Sequence, residues 1–269
     1  MNKVLSRLAL CLFCFLIPIH DAAAAPALTA EAAILMDYQS GEILYCKNAY
    51  ESRPPASLTK VMTTILAIEH QPDLSYTATV SPAAAATGES RLNLQTGEQI
   101  TLENLLYGAL LKSGNDACVA IAENVAPDEE DFVWRMNLKA QLLGCVSTTF
   151  QNTNGLPDDQ HKSCAYDLAV IARYALQNDT FSQIVQTRYA TIHWVGQRQC
   201  QVKNTNRLLQ FYPGAIGVKT GTTNAAGQCL IAAAKRGDHC LIAVVLKSQN
   251  RFLDAANLLD YGFKTIGCQ

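Results

Sequence analysis

The stretch Pro54-Pro55-Ala56-Ser57-Leu58-Thr59-Lys60 opens an apolar segment that runs to about His70. Proline is tolerated in the first turn of a helix, where its missing N–H has no partner to lose, so the two prolines predict a helix start. Ser57 and Lys60 are three residues apart, a spacing that makes their side chains neighbours on a helix. A serine hydroxyl needs a base to become a nucleophile, and burial can lower the pKa of a lysine enough to supply one. A Ser-x-x-Lys match also arises by chance, so the stretch predicts a catalytic pair only if other segments support it.

The elements on either side of this stretch follow from hydrophobic patterning. Apolar residues recur with helical spacing behind the prolines and predict a broad buried face, formed by Leu58, Val61, Met62, Ile65, Leu66 and Ile68. Before the stretch, strand-like runs at 32–37 and 42–47 surround Gln39-Ser40-Gly41 and predict a β-hairpin. After it, the patterning predicts a strand at 76–80 and helices at 102–111, 117–125, 128–143 and 165–176.

The last third of the chain is rich in strands. Runs at 214–221, 227–234 and 240–247 predict three strands, and residues 251–263 predict a closing amphipathic helix. A tight turn at 235–238, with Arg236 and Gly237 at its centre, would place Ala233 opposite Cys240. Since strands stand at both ends and helices in the middle, we predict an α+β fold with one antiparallel sheet flanked by helices. We expect a single domain over residues 25–269, in which the middle helices form a helical subdomain.

The N-terminus has the three parts of an export signal. Lys3 and Arg7 supply positive charge, residues 8–19 form a short apolar run, and residues 22–24 are small alanines suited to cleavage. We therefore expect residues 1–24 to be removed as a signal peptide and the protein to work outside the cytoplasm, in the periplasm or the cell-wall space. No hydrophobic or amphipathic extension follows the predicted helix at 251–263, so we expect no permanent membrane anchor after cleavage.

Composition and charge narrow the classes of function. Apolar residues make up 49% of the chain and charged residues 16%, which suits a folded domain with a large core. The net charge is -2 and no run of lysine or arginine occurs, so we expect no nucleic-acid partner.

The cysteines allow several interpretations. Ten are present, and the eight that follow residue 24 allow 105 pairings. Their spacing is irregular and contains no C-x-x-C, so we expect no metal site and no cofactor. We expect most of them to serve as small buried apolar residues, and the predicted turn register disfavours a disulfide between Cys229 and Cys240.

Two further polar segments interrupt regular structure. Ser113-Gly114-Asn115 breaks a helical pattern and can form a turn that points a hydroxyl and an amide into a cleft. Lys219-Thr220-Gly221 lies on a predicted strand, where glycine permits close approach of another backbone. Each alone suits an ordinary turn or edge strand. Together with Ser57-x-x-Lys60, and in this order, they are the motif set of penicillin-binding proteins and class A β-lactamases.

The sequence resembles the low-molecular-mass D-alanyl-D-alanine carboxypeptidases, a family of penicillin-binding serine peptidases. The likeness covers about residues 32–263 and includes further segments, namely Asn154-Gly155-Leu156, His161 with Ala165-Tyr-Asp-Leu-Ala169, and Asn224-Ala-Ala-Gly227. It implies a fold like that of β-lactamases and transpeptidases. The sequence departs from the family pattern in two respects. Many relatives carry a further β-rich domain and a C-terminal amphipathic helix, and some have histidine where Thr222 stands.

The resemblance implies an activity and a role for each site residue. The implied substrate is a peptidoglycan stem peptide ending in D-Ala-D-Ala, and β-lactams, which mimic that dipeptide, should acylate Ser57 and leave slowly. Ser57 would attack the carbonyl between the two D-alanines, Lys60 would be the base, and Ser113 would relay a proton to the leaving amine. Asn115 would hold the substrate amide and orient Lys60, and the N–H groups of Ser57 and Thr222 would form the oxyanion hole. Gly221 would permit the close approach of another backbone. The substrate carboxylate would be bound by Lys219, Thr220 and Arg251.

Two rival functions are open at this point. Class A β-lactamases deacylate with a glutamate in a Glu-x-x-Leu-Asn loop, and the chain contains Glu89-Ser-Arg-Leu-Asn93. That loop follows the Ser-x-Asn segment in the lactamases, whereas here it precedes Ser113, so we interpret the match as accidental. A catalytically silent peptidoglycan-binding protein would be expected to lack Ser57, Lys60 or Lys219, and all three are present.

Overall fold

The structure, a computed structural model, describes residues 25–268. The predicted signal peptide at 1–24 therefore lies outside the described residues. The strands are β1 (Ala32–Asp37), β2 (Ile43–Lys47), β3 (Thr77–Thr79), β4 (Gln99–Thr101), β5 (Tyr189–His193), β6 (Gln199–Lys203), β7 (Ala215–Thr223), β8 (Gly227–Arg236) and β9 (His239–Ser248). The helices are α1 (Lys60–His70), α2 (Pro82–Ala86), α3 (Leu102–Tyr107), α4 (Asn115–Val125), α5 (Glu129–Leu142), α6 (Ala165–Ala175), α7 (Asp179–Gln186), α8 (Leu208–Phe211) and α9 (Arg251–Thr265).

Both ends of the chain form one antiparallel sheet in the order β2-β1-β9-β8-β7, which confirms the predicted α+β fold. Alternate residues of each strand face opposite sides, as the strand period of two requires. One face, with Leu35, Ala243 and Val245, packs against α9. The opposite face, with Ile34 and Val244, packs against α6. The sheet therefore has apolar contacts on both faces.

The turn between β8 and β9 corrects one prediction. Lys235 pairs with Cys240 and Arg236 with His239, so Gly237 and Asp238 form the turn centre, one residue later than predicted. The predicted register is therefore wrong by two residues, and Ala233 faces Ile242 instead of Cys240. Gly237 has a φ of +56°, and a two-residue hairpin turn needs that conformation at its first central position. All eight cysteines of the described chain are free. Cys240 pairs with Lys235 beside the turn, whereas Cys229 lies at the far end of β8, so these two cysteines are well separated. Five of the eight cysteines are buried, namely Cys118, Cys145, Cys164, Cys229 and Cys240.

The middle helices differ from the predicted ones in two places. The helix expected at 102–111 is α-helical only to Tyr107, and residues Gly108–Lys112 form a wider π turn. The side chain of Leu92 occupies the space beside Gly108, where a Cβ would lie 2.1 Å from Leu92 Cδ1. Helix α7, capped by Asn178, was not expected. None of the helices between residues 25 and 268 combines the length and the apolarity needed to cross a membrane.

The Ser57 turn stands just before α1 rather than inside it. Residues Ala56–Thr59 form a 3-10 turn, and the α-helix begins at Lys60. Ala56 has a φ of +49°, a left-handed conformation that ends any helix continuing from Pro54 and Pro55. Helix α1 is then buried from Lys60 to Ile68, so it runs through the core instead of along the surface.

A buried carboxylate joins the start of the sheet to the last helix. Asp254, in the first turn of α9, is 1% exposed and accepts bonds from Thr29 N at 3.0 Å, Thr29 Oγ1 at 2.7 Å and Ala30 N at 2.8 Å. Ser248 Oγ, at the end of β9, donates to the same carboxylate at 2.6 Å. This one side chain fixes the segment before β1, the end of β9 and the start of α9, which carries Arg251.

We expect Asp254→Asn to destabilise the protein by about 2–3 kcal/mol, because the new NH₂ group would face backbone N–H donors in a buried place. Urea or thermal unfolding measures the change. The control is Asp260→Asn on the same helix, whose ion pair with Arg236 is exposed and should contribute less than about 1 kcal/mol. Equal losses for the two variants would contradict the role assigned to Asp254.

Candidate active site

The Ser57–Lys60 pair lies at the junction of the sheet and the helices. Lys60 Nζ is 2.9 Å from Ser57 Oγ, so the side chains meet as the three-residue spacing predicts. The amine also contacts Asn115 Oδ1 at 2.7 Å and the carbonyl oxygen of Asn154 at 2.6 Å. Lys60 is 0% exposed, whereas Ser57 is half-buried and open to the cleft. The hydroxyl is thus accessible while its neighbouring amine is shielded.

The three contacts of Lys60 suit both forms of its amine. The charged form donates to all three oxygens, including Ser57 Oγ. A neutral lysine has two N–H groups and one lone pair, and the two N–H groups can donate to the oxygens of Asn115 and Asn154. The lone pair then faces Ser57 Oγ and can accept its proton. Burial is the largest influence on this amine and lowers the pKa of Lys60 to about 8, while the thiol of Cys118 and the carboxylates of Glu89 and Asp116 oppose the shift. The neutral form is therefore an accessible minority near neutral pH and the main form above about pH 8.

A second buried lysine stands across the cleft. Ser113 ends the π turn with a φ of +66°, which points its hydroxyl towards β7. Lys219 Nζ, on β7, contacts Ser113 Oγ at 3.0 Å and the carbonyl oxygen of Thr220 at 2.9 Å. Lys219 is 1% exposed, and burial, followed by the nearby amine of Lys60, holds its pKa well below the ordinary value. The two predicted motifs therefore meet through one hydrogen bond.

Strand β7 passes very close to the Ser57 turn because of Gly221. A Cβ at that position would lie 3.0 Å from the Pro55 carbonyl oxygen and 3.2 Å from the backbone nitrogen of Ser57. Only glycine leaves room for this approach. It places Gly221, the residue before Thr222, directly against the backbone nitrogen of Ser57.

The far end of the cleft is lined by β7 and the start of α9. Arg251, the first residue of α9, donates to the Gly221 carbonyl oxygen at 2.8 Å and to Thr222 Oγ1 at 2.7 Å. Thr220 Oγ1 lies 2.7 Å from Thr205 Oγ1, so its hydroxyl is oriented by a residue outside the predicted motifs. Burial lowers the pKa of Arg251, but arginine stays charged at any relevant pH.

An open groove of about 730 Å³ continues beyond Arg251. Three cationic side chains line it, Lys203, Arg207 and Arg251, and the other lining residues are neutral. The guanidinium groups of Arg207 and Arg251 lie 5.6 Å and 5.2 Å from the centre of the same Phe252 ring. This end of the cleft is therefore positive and suits an anionic group.

A loop that the sequence motifs do not include closes the other side. The Gly88 carbonyl oxygen accepts from Asn115 Nδ2 at 2.9 Å, and the Ser90 carbonyl oxygen accepts from Asn115 N at 2.7 Å. The side chain of Glu89 is exposed and makes no hydrogen bond or ion pair with any residue between 25 and 268. The loop acts on Asn115 through its backbone, which explains why its residue types give little signal in the sequence.

Other contributions were also absent from the sequence reasoning. The Asn154 carbonyl that holds Lys60 and the hydroxyl of Thr205 belong to segments whose residue types alone do not indicate chemistry. Burial raises the pKa of Cys118, next to the lysines, to about 11, so its thiol stays protonated near neutral pH. No group of three His, Cys, Asp or Glu residues in the described part of the chain is arranged to hold a metal ion.

The fold and the Ser–Lys site together define the class. An antiparallel sheet flanked by helices, with this site at their junction, is the fold shared by penicillin-binding proteins and β-lactamases. A family model for D-alanyl-D-alanine carboxypeptidase matches residues 19–250. The chain belongs to that family, as the resemblance in the motifs implied.

Individual relatives agree with this assignment. The chain is 39% identical over 241 residues to the D-alanyl-D-alanine carboxypeptidase DacF of Bacillus subtilis, covering 87% of this chain and 62% of DacF. The crystal structure of the Streptomyces K15 DD-transpeptidase matches with a TM-score of 0.84 at 35% identity, over 89% of this chain and 98% of that one. The crystal structure of the carboxypeptidase DacD of Francisella tularensis matches with a TM-score of 0.84 at 29% identity, over 91% of this chain and 73% of that one.

We expect the rate of acylation by a β-lactam to rise with pH and to level off above about pH 8, because only the neutral amine of Lys60 can accept a proton. Stopped-flow acylation across pH 6–10 measures the profile. Since the Glu89 carboxylate raises the pKa of Lys60, Glu89→Gln should move the inflection to lower pH, whereas Glu103→Gln, on an exposed helix start, should leave it in place. An inflection near the ordinary lysine value in the wild type would contradict the assignment of Lys60 as the base.

Proposed function

We propose that the protein removes the terminal D-alanine from peptidoglycan stem peptides through an acyl-enzyme on Ser57. The observation that carries the proposal is the contact of 2.9 Å between Ser57 Oγ and a fully buried lysine amine whose two N–H groups have other acceptors. The chain spans about 62% of the length of DacF.

The acylation step begins at Ser57. Its Oγ attacks the carbonyl carbon between the two D-alanines as Lys60 Nζ accepts the hydroxyl proton. The negative oxygen that forms would face the backbone N–H groups of Ser57 and Thr222, and one such donor contributes about 3–4 kcal/mol to transition-state stability. The C–N bond breaks when the proton taken by Lys60 passes through the Ser113 hydroxyl, which Lys219 holds at 3.0 Å, to the leaving nitrogen. Lys60 is then neutral again. D-Alanine leaves and an ester to Ser57 remains.

Deacylation reverses the same chemistry with water. A water molecule attacks the ester carbon while Lys60 accepts one of its protons, and the bond to Ser57 Oγ breaks with return of a proton to that oxygen. No carboxylate of the described chain hydrogen-bonds to Ser57 or Lys60, so the acyl-enzyme has no dedicated acidic side chain for this step. This supports slow release of a β-lactam rather than the fast turnover of a β-lactamase.

Recognition of the C-terminus rests on the positive end of the cleft. A carboxypeptidase must distinguish a terminal carboxylate from an internal amide, and charge is the largest difference between them. Arg251 presents a planar guanidinium beside Thr222, while Lys219 and Thr220 contribute an amine and a hydroxyl from the same strand as hydrogen-bond donors. The neutral or cationic lining of the adjoining groove supports binding of an anion there.

We also propose that the protein is exported and that residues 1–24 are cleaved as its signal. The charged, apolar and small-residue parts of that segment support export, as does a substrate that lies outside the cytoplasm. N-terminal sequencing of the processed protein tests this, with Ala25 expected as its first residue and an intact Met1 as the contrary result.

Penicillin should add its mass once to the wild-type protein and not to Ser57→Ala, because the alanine lacks the oxygen that forms the ester. Intact-protein mass spectrometry after incubation measures this, and the adduct should persist for minutes or longer. Ser75→Ala, a remote exposed serine, serves as the control and should be labelled like the wild type. Stoichiometric labelling of Ser57→Ala would contradict the nucleophile assignment, and rapid turnover that collapses in Glu89→Gln would favour a β-lactamase.

Arg251→Ala should reduce kcat/KM for a D-Ala-D-Ala peptide with a free C-terminus by about 10- to 150-fold, the kinetic equivalent of losing about 1.5–3 kcal/mol from one charge-assisted hydrogen bond. The matched control is the C-terminal amide of the same peptide, a poorer substrate whose hydrolysis should hardly change. Steady-state kinetics on both peptides makes the comparison. Equal losses on the two would show that Arg251 does not recognise the carboxylate.

A further inference from the structure

The imidazole of His161 lies directly behind the Ser57 turn, in the core. It is 2% exposed, and its Nε2 is 2.8 Å from Thr59 Oγ1. The hydroxyl of Thr59 donates in turn to the Ala56 carbonyl oxygen at 2.8 Å. On the other side of the ring, the backbone N–H of Gln151 donates to His161 Nδ1 at 3.1 Å. The acylation and deacylation steps described above do not use this group.

These contacts fix the direction of each hydrogen bond that links Gln151, His161, Thr59 and Ala56. Because Nδ1 accepts from the Gln151 N–H, the proton of the neutral imidazole is on Nε2. Nε2–H therefore donates to Thr59 Oγ1, and the only hydrogen of that hydroxyl points to the Ala56 carbonyl. The result is a one-way chain from His161 through Thr59 to Ala56, the residue that precedes Ser57.

The Ala56 carbonyl is where the Ser57 turn is held. Ala56 has a φ of +49°, a left-handed conformation that alanine rarely adopts and that surrounding contacts must maintain. Gly155 packs against the same carbonyl, since a Cβ there would lie 2.0 Å from the Ala56 oxygen. Thr59 and Gly155 thus hold the turn from two sides and set the place of Ser57 Oγ relative to Lys60.

The same imidazole also holds the loop that orients the base. Residues 151–161 form one loop whose ends meet through the bond from Gln151 N to His161 Nδ1. Within it, the Asn154 carbonyl accepts from Lys60 Nζ at 2.6 Å. His161 therefore joins the turn that presents Ser57 to the loop that holds Lys60, through its contacts with Thr59 and Gln151.

We propose that His161 is a positioning residue that keeps the Ser57 turn and the Lys60 loop in register, and that it does so as a neutral imidazole with its proton on Nε2. This inference rests on the proposed function, since it concerns the reaction of Ser57. Burial is the largest influence on the ring and lowers the pKa of His161 to about 4. Asp158 opposes the shift, while Lys162 and Lys60 add to it. A proton on Nδ1 would face the Gln151 N–H and open the loop.

A pair of substitutions separates the two contacts. In His161→Gln the longer amide can place its NH₂ near the position of Nε2 and keep the bond to Thr59. In His161→Asn the shorter amide can accept from Gln151 but leaves Thr59 without a donor. The bond to Thr59 acts on the turn that carries Ser57, whereas the bond from Gln151 closes the ends of the loop, away from Asn154, so loss of the Thr59 bond should cost more. We expect His161→Gln to acylate within about threefold of the wild type, and His161→Asn to lose about 10- to 100-fold, as a small misplacement of a nucleophile does. Non-covalent binding of the β-lactam should change little in both.

Thr59 supplies an independent check of the same chain. Thr59→Val removes the hydroxyl at nearly constant volume, and Thr59→Ser retains it. We expect Thr59→Val to lose acylation rate like His161→Asn, Thr59→Ser to restore most of it, and the double variant Thr59→Val/His161→Asn to lose no more than the larger single loss. The proposal would be overturned if the rate losses of the two single variants multiplied in the double variant. Equal acylation rates for His161→Asn and His161→Gln would also overturn it.

NMR of the wild-type protein tests the tautomer without reference to activity. Long-range proton–nitrogen spectra should show the proton of His161 on Nε2 at pH 7 and no titration of this ring between pH 7 and pH 5. A proton on Nδ1, or a titration near the ordinary histidine value of about 6.5, would overturn the inference even if Ser57 is acylated. Failure of penicillin to label wild-type Ser57 would instead contradict the proposed function and leave the tautomer result standing.

Discussion

A lysine amine loses most of its solvation when it leaves water, and the structure removes Lys60 from water completely. The charged form is penalised, so the pKa falls to about 8 and a neutral amine is available near physiological pH. Removal from water has a cost, which the oxygens of Asn115 and Asn154 offset by accepting its two N–H groups. The lone pair of the neutral amine is then free to face Ser57 Oγ, 2.9 Å away. The rest of the fold can be understood as the means of keeping this arrangement dry and in place.

Three parts of the chain must meet around that amine, and each is held by a different kind of constraint. Helix α1 carries Lys60 through the core because almost every residue of its first two turns is buried. Helix α4 brings Asn115, and its start is fixed by backbone contacts with Gly88 and Ser90. Strand β7 brings Lys219 and can approach only because position 221 is glycine. Since β7 belongs to the sheet, the site depends on the docking of helices and sheet against each other.

The sequence was a good guide where the relevant signal is local. Alternation around 32–47 predicted the first hairpin, and the three-residue spacing predicted the Ser57–Lys60 contact, because both depend on neighbours in the chain. The centre of the β8–β9 turn was misjudged by one residue, and the strand register by two, since two placements of Gly237 in a tight turn differ only in backbone geometry. Contacts made by backbone atoms were not foreseen either. The carbonyls of Asn154 and Gly88 orient the site whatever side chains those residues carry, so only the folded chain identifies them.

The central claim is that Lys60 is neutral when the enzyme acts, and the amine itself can be observed. Selective carbon-13 labelling of lysine, with the Lys60 signal assigned by comparison with Lys60→Arg, would follow its titration by NMR in the absence of any ligand. We expect one signal with an apparent pKa near 8, far below the other lysines. A signal that titrates with them near 10.4 would mean that almost no neutral amine is present at neutral pH and would contradict the account.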